Sequence, residues 1–285
     1  MHFECPNTVS TDYAIHSDFL VHWTGKDLDA QYDPDWHASE KSAIDRESPL
    51  IRAYVGRLHN ILKYGLWLTE EPEIQFLLGD KQIAIPSTPK VCFTELKLSE
   101  SRTHARRYGR LGIGVKRPYL FSRFGRPLAY FGFHEQTQND PFLKACVNDF
   151  EDKNLLNFFK PMNSGQTLNY DLYSESEWRI LFFQELLEKR LLIDPRDDRN
   201  AEEHTFFNSL TALEQEKLRY LAPLDGWFAL IIYPSLGVKN KAQQEESARI
   251  REELARIKSD PKDHGNRVEG GSWPMEIDLD ACRNF

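Results

Sequence analysis

The segment "RLGIGVKR", residues 110–117, restricts the fold more than any other part of this chain. Leu111, Ile113 and Val115 alternate with Gly112 and Gly114, a period of two that specifies a strand and conflicts with the 3.6-residue repeat of a helix. Two glycines on one face leave it open to close approach by backbone or ligand. Directly before this strand lies "HARRYG", residues 104–109, with a histidine, two arginines and a tyrosine. This basic stretch is either a solvated helix end or one wall of an anion site.

Other segments read with comparable clarity. Phe19–Trp23 is expected as a strand ending at Thr24 and Gly25, followed by a polar loop over 27–48. From Pro49 the apolar stripe Leu50, Ile51, Tyr54, Val55, Leu58, Ile61 and Leu62 predicts a helix closed by Gly65, and Leu66–Leu68 start an extended piece. "KVCFTEL" at 90–96 reads as a buried strand ending in an acid. Ser99 can cap a short helix carrying "ESRTHARRY", which Gly109 closes. "PLAYFGF" is a further strand, residues 140–162 are helical in pattern, and "SEWRILFF" at 176–183 and "GWFALIIYP" are strands. Residues 241–257 form a charged helix with the stripe Ile250, Leu254 and Ile257. That narrow stripe fits docking on its own domain or pairing with another chain. A Gly/Pro-containing segment, 259–274, leads to "MEIDLDACRNF".

Strands and helices do not alternate regularly, which favours α+β over a doubly wound sheet. The expectation is one domain over 1–285, with a core at about 17–238, the helix 241–257 and a tail 259–285. Its sheet should be mixed or mainly antiparallel, strongly bent and flanked by helices.

Composition narrows the function. Hydrophobic residues make up 40% and charged residues 28%, the balance of a folded soluble chain. "WFALIIY" is the longest apolar run and is too short to span a bilayer, so no membrane is expected. The first sixteen residues lack a basic start and an apolar stretch, which points to the cytoplasm. Cys5, Cys92, Cys146 and Cys282 have neither metal-ligand nor redox-motif spacing and read as reduced thiols, and no metal is expected. A net charge of −8 argues against a surface coated for nonspecific nucleic-acid binding. A local basic pocket remains open, since six cationic residues lie between Arg102 and Arg117.

Three groups of residues could carry chemistry. His22 and Thr24 share a face at a strand end, where a histidine can bond a ribose hydroxyl, or can be a core histidine satisfied by backbone. Glu95 ends a strand just before "HARRYG", in which His104 and Tyr108 share a helix face with Arg107 beside them. Arginine's planar fork suits phosphate or carboxylate, and a surface salt-bridge cluster is the alternative. Glu175, Glu177 and Arg179 can point to one side of a strand. There a carboxylate held ionised by a guanidinium could stabilise an oxocarbenium-like centre, or could merely pair across the sheet. P-loop, G-x-S-x-G, histidine-glutamate metal and dinucleotide G-x-G-x-x-G motifs do not occur.

The order "SDFLVHWTGK", "ILKYGL", "VCFTEL", "HARRYGRLGIGVKR", "GRPLAYF", "SESEWRI" and "MEIDLDACRNF" resembles the AbiGi family, from about residue 17 to the C-terminus. The resemblance implies a role in bacterial abortive infection, as the antitoxin of a phage-resistance pair, with a cognate toxin from the same operon as partner. "HWTG" followed by "ILKYGL" is also similar to the opening of ADP-ribosyltransferase-like proteins. That second likeness implies an ADP-ribosyltransferase-like core with NAD as substrate. It assigns His22, Tyr108 and Glu177 to the nicotinamide dinucleotide pocket, with Trp23, Thr24, Glu175 and Arg107 or Arg179 as further contacts and the arginines meeting the pyrophosphate. Two functions therefore compete: a defence component binding a protein partner or nucleic acid, and an enzyme transferring ADP-ribose to a protein or nucleic-acid target.

Overall fold

The glycine-spaced segment forms β6 (Leu111–Val115), buried along its whole length, in a computed structural model that describes residues 19–36, 48–78, 81–95, 97–131, 141–161, 175–244, 248–259 and 274–284. β6 lies between β1 (Leu20–Thr24) and β12 (Phe228–Tyr233), antiparallel to both. Its glycine face is covered by protein. A Cβ added at Gly114 would lie 2.6 Å from Cβ of Leu230, and one at Gly112 would lie 3.0 Å from Cβ of Ile232. Gly114 and Gly112 pair in register with Leu230 and Ile232, so those large side chains lean over the empty positions. The space is thus taken by neighbouring side chains and not by the backbone or ligand expected there.

The fold is α+β, and its main sheet is mixed and mainly antiparallel. Besides β1, β6 and β12 it contains β2 (Leu66–Thr69), β5 (Lys90–Thr94), β7 (Arg126–Pro127), β10 (Glu177–Leu181), β11 (Leu218–Ala222) and β13 (Met275–Asp278). The order is β11-β2-β5-β1-β6-β12-β13, with β10 on β5 and β7 on β10; only the β12–β13 pair is parallel. A hairpin, β3 (Ile74–Leu78) with β4 (Lys81–Ile85), and a parallel pair, β8 (Ala129–Phe131) with β9 (Phe159–Pro161), stand apart from it.

β5 has three strand partners and only two edges. β10 pairs with it over all five residues, so β1 and β2 must share the opposite edge. Each meets that edge at one pair, Val21 with Thr94 and Thr69 with Lys90. The sheet therefore forks at β5, leaving a gap opposite Cys92.

Helices cover both faces. The Pro49–Tyr64 helix starts at Ser48, whose Oγ accepts from the Leu50 N–H at 3.2 Å. It buries its expected stripe, with Val55 half-buried, against one face of the sheet together with Leu20, Phe93, Ile113 and Ile180. The other face packs Val21, Trp23, Leu230 and Ile232 against Leu98, Ala105 and Ile277. Among the described residues no helix is long and apolar enough to cross a membrane.

Four local expectations change. Residues 26–32, expected within or beside a loop, form the helix Lys26–Tyr32. Its Asp29 is fully buried with Arg110, which also pairs with Asp33 at 2.9 Å, and Tyr54 donates to Asp29 at 2.7 Å. Polar composition was misleading because these charges neutralise one another in the interior. Ser99 is not the cap of the next helix: Leu98–Glu100 is a 3₁₀ turn, and the helix runs Ser101–Tyr108. The 140–162 segment divides into the helix Pro141–Asp149, a 3₁₀ turn at Lys153–Phe158 and β9, where main-chain pairing with β8 replaces the helical period. The charged C-terminal stretch holds two helices, Leu236–Gln243 and Ala248–Ser259, and the stripe Ile250, Leu254 and Ile257 docks on the domain's own core. Further helices lie at Arg117–Phe121, Gln184–Glu188, Ala201–Ser209 and Ala212–Lys217, of which the first two bury Tyr119, Leu120 and Leu186 in the main core. Cys92, Cys146 and Cys282 are not joined in disulfides. Cys5 and residues 260–273 of the expected Gly/Pro segment lie outside the described residues.

Gly109 closes the Ser101–Tyr108 helix at φ 107°, and a Cβ there would lie 2.3 Å from the Lys26 nitrogen. Gly109→Ala combines left-handed strain with a backbone collision, and should cost roughly 3 kcal/mol. Gly56 is helical and has nothing within 4 Å of its Cβ position, so Gly56→Ala should add roughly 0.5–1 kcal/mol. Urea unfolding midpoints moving in opposite directions would bear this out, and a Gly109→Ala midpoint equal to wild type would refute it.

Candidate functional site

The fork opens into a cavity of about 610 Å³, lined by β1, β2, β5 and β10 and by the Pro49–Tyr64 helix. At the gap in the ladder, His22 Nδ1 lies 2.9 Å from the Cys92 carbonyl. A carbonyl only accepts, so Nδ1 carries the proton and the side chain replaces a missing strand bond. Burial, aided by the charge of Arg57, lowers the pKa of His22 against the opposing backbone bond, so the ring is neutral at pH 7. In that tautomer Nε2 is an acceptor, suited to a hydroxyl. The backbone-satisfied role and the ligand-facing role thus fall to different nitrogens of one ring.

Opposite His22 stands a cluster of charges. β10 begins at Glu177, after Ser176 at φ 44°, and Leu128 N–H and the Tyr130 hydroxyl bracket its main chain at 2.9 Å each. β9 brings Lys160 between two acids: Nζ donates to Glu175 Oε2 at 2.5 Å and to Glu177 Oε2 at 2.6 Å. Arg179 Nε donates to Glu177 Oε1 at 2.6 Å, and its Nη1 to the Asn157 carbonyl at 2.6 Å. Burial alone would raise the Glu177 pKa, but the charges and hydrogen bonds of Arg179 and Lys160 prevail and hold it down at about 2. Burial likewise works against the Lys160 cation, and Glu177 and Glu175 more than compensate, so its pKa lies above the ordinary lysine value. Each carboxylate oxygen can accept two hydrogen bonds, so Glu177 keeps acceptor capacity toward the cavity.

Tyr108 stands at the cavity mouth, 40% exposed, with its hydroxyl donating to Glu175 Oε1 at 2.5 Å. His104 stacks behind it, ring centroids 6.1 Å apart at 18°. His104 is buried, which pushes its pKa down to about 4 despite Glu175, so it supports Tyr108 as a neutral ring.

His22, Tyr108 and Glu177 therefore line one cavity, together with Thr24, Glu175 and Arg179. Trp23 also borders it, but its indole is buried in the second core. Arg107 is beside the cavity and not among its lining; its Nη1 donates to Glu175 Oε1 at 3.2 Å. Glu95 points to the opposite face, where it accepts from Trp178 Nε1 at 2.7 Å and pairs with Arg117. Alternation along β5 explains this, because Thr94 and Glu95 fall on opposite sides.

Residue-level reasoning passed over Lys160, Asn157 and Arg57. Lys160 had a signal: a lysine within the run "NFFKPM" has to find a carboxylate if that run is buried. Arg57 had none, being one polar residue on an amphipathic helix. Compared with known proteins, the chain matches no family model, no curated protein and no solved structure.

Proposed function

We propose that the cavity binds a nicotinamide dinucleotide and that the protein transfers ADP-ribose from it, in the setting of bacterial phage defence. The convergence of His22, Tyr108 and Glu177 on one cavity supports this most strongly, since three distant segments of sequence supply them. The cavity volume, about 610 Å³, lies within the usual range for small-molecule sites. Neutral His22 Nε2 accepts from a ribose hydroxyl, Tyr108 stacks on the nicotinamide ring, and ionised Glu177 faces the nicotinamide ribose. The C–N glycosidic bond breaks with its electron pair leaving on nicotinamide. Positive charge that develops on the ribose is stabilised by Glu177. An acceptor oxygen or nitrogen then bonds to the same carbon and releases its proton.

The abortive-infection setting, with a partner toxin, rests on the order of segments that resembles the AbiGi family. A purely partner-binding role gives the buried acids only the structural task of pairing with Lys160, Arg107 and Arg179, whereas the dinucleotide reading also gives them a chemical one.

The test is to incubate purified protein with adenylate-labelled NAD and extract from uninfected and phage-infected bacteria, following free nicotinamide and label in macromolecules. Nicotinamide release with label transfer is expected. Failure of the protein to bind the dinucleotide at millimolar concentration, with no label transferred in either extract, would overturn the enzymatic reading.

A further inference from the structure

The dinucleotide carries a pyrophosphate, and the cations around the cavity, including Arg107 and Arg179 that were expected to meet it, are engaged with acids. Arg179 is buried between Glu177 and the Asn157 carbonyl, Lys160 is held by both glutamates, and Arg107 is not part of the lining. Lys90 is buried at the β2 end of the gap, against Glu71.

Arg57 differs. It projects from the Pro49–Tyr64 helix to the β1 end of the cavity, where Nη1 donates to Thr24 Oγ1 at 3.2 Å. Its fork grips Asp27, with Nη2 to Oδ2 at 2.6 Å and Nη1 to Oδ1 at 3.4 Å. The Arg57 side chain is 24% exposed and that of Asp27 is 62% exposed. A guanidinium on the cavity wall thus holds, with both nitrogens, a carboxylate that can swing into water at small cost. Arg57 bonds Thr24, which is two residues along β1 from His22 and on the same strand face, so it lies on the same side as the proposed ribose contact.

Resting on the dinucleotide reading of this cavity, we infer that Arg57 is the pyrophosphate-binding residue and that Asp27 is a placeholder carboxylate which the pyrophosphate displaces. The two partners then have opposite effects on binding, which a merely structural ion pair would not produce.

The experiment measures equilibrium binding of NAD and of nicotinamide riboside, which lacks phosphate, to wild type, Arg57→Gln and Asp27→Asn. Loss of a charge-assisted bidentate contact should weaken NAD by roughly 10- to 100-fold in Arg57→Gln, with nicotinamide riboside changed less than about threefold. Asp27→Asn removes the competitor and should tighten NAD by about threefold, leaving the riboside unchanged. Wild-type NAD affinity in Arg57→Gln overturns the inference while leaving the dinucleotide site in place. So does equal weakening of NAD by both variants, or equal weakening of both ligands by Arg57→Gln. If wild type binds neither ligand, the dinucleotide reading and this inference fall together.

Discussion

Glu177→Gln should slow nicotinamide release by roughly 100- to 1,000-fold while dinucleotide affinity changes only a few-fold. The amide keeps the shape and an acceptor oxygen, so ground-state contacts to ribose survive. What disappears is the negative charge that opposes the developing positive charge on the sugar. The variant also leaves Arg179 without its carboxylate, and breaking a buried pair costs roughly 3–5 kcal/mol, so its folding has to be checked by near-ultraviolet circular dichroism and urea titration. A folded Glu177→Gln protein releasing nicotinamide at the wild-type rate would remove Glu177 from the mechanism. The wild-type pH dependence follows from the same residue. Its folded pKa of about 2 lies below the ordinary carboxylate value. The stability it contributes is therefore complete above the ordinary carboxylate range, and is lost as pH falls through that range toward about 2. Activity requiring ionised Glu177 should show no acid limb from this residue between pH 5 and 7.

The second large effect concerns Lys160. In Lys160→Met, Glu175 and Glu177 lose the ammonium that both now contact at 2.5 and 2.6 Å. Two neighbouring carboxylates in a buried site do not both ionise readily, so one of them should gain a proton at higher pH than in wild type. Arg179 and Arg107 remain and limit the change. At pH 7 the turnover number should fall roughly 100-fold, with KM nearly constant, and stability should fall by roughly 3–5 kcal/mol. The diagnostic measurement is the pH–rate profile, whose acid limb should move toward neutrality in Lys160→Met and return in Lys160→Arg. A profile of unchanged shape, with only a lower plateau, would make Lys160 a stability element and nothing more.

Local pattern made a large part of this architecture legible. Period-two alternation at "LGIGV" and "EWRIL", and the stripe from Leu50 to Leu62, were read correctly because each depends on which side of one element a residue faces. The same alternation put Glu177 and Arg179 on one side of a strand. For Glu95 alternation fixes only that it lies opposite Thr94, and the tertiary structure was needed to show that Thr94 takes the cavity side and Glu95 the side of Trp178. Alternation also did not reveal Asp29, Asp33 and Arg110 as interior residues, since a charge pattern is the same whether the charges meet water or one another.

From sequence alone came the α+β class, the strands β1, β2, β5, β6, β10 and β12, and the residue types able to hold a ribose and an anion, whereas β3, β4, β11 and β13 were not expected. The tertiary structure decided the rest. The fork at β5 exists because β1 and β2, far apart in sequence, compete for one strand edge. That competition leaves the Cys92 carbonyl to His22 and opens the cavity. Lys160 enters the site only because β9 pairs with β8 and points it at two acids from another segment. Strand pairing over long separations depends on the total burial and charge compensation of the folded chain, and no window of neighbouring residues contains that sum.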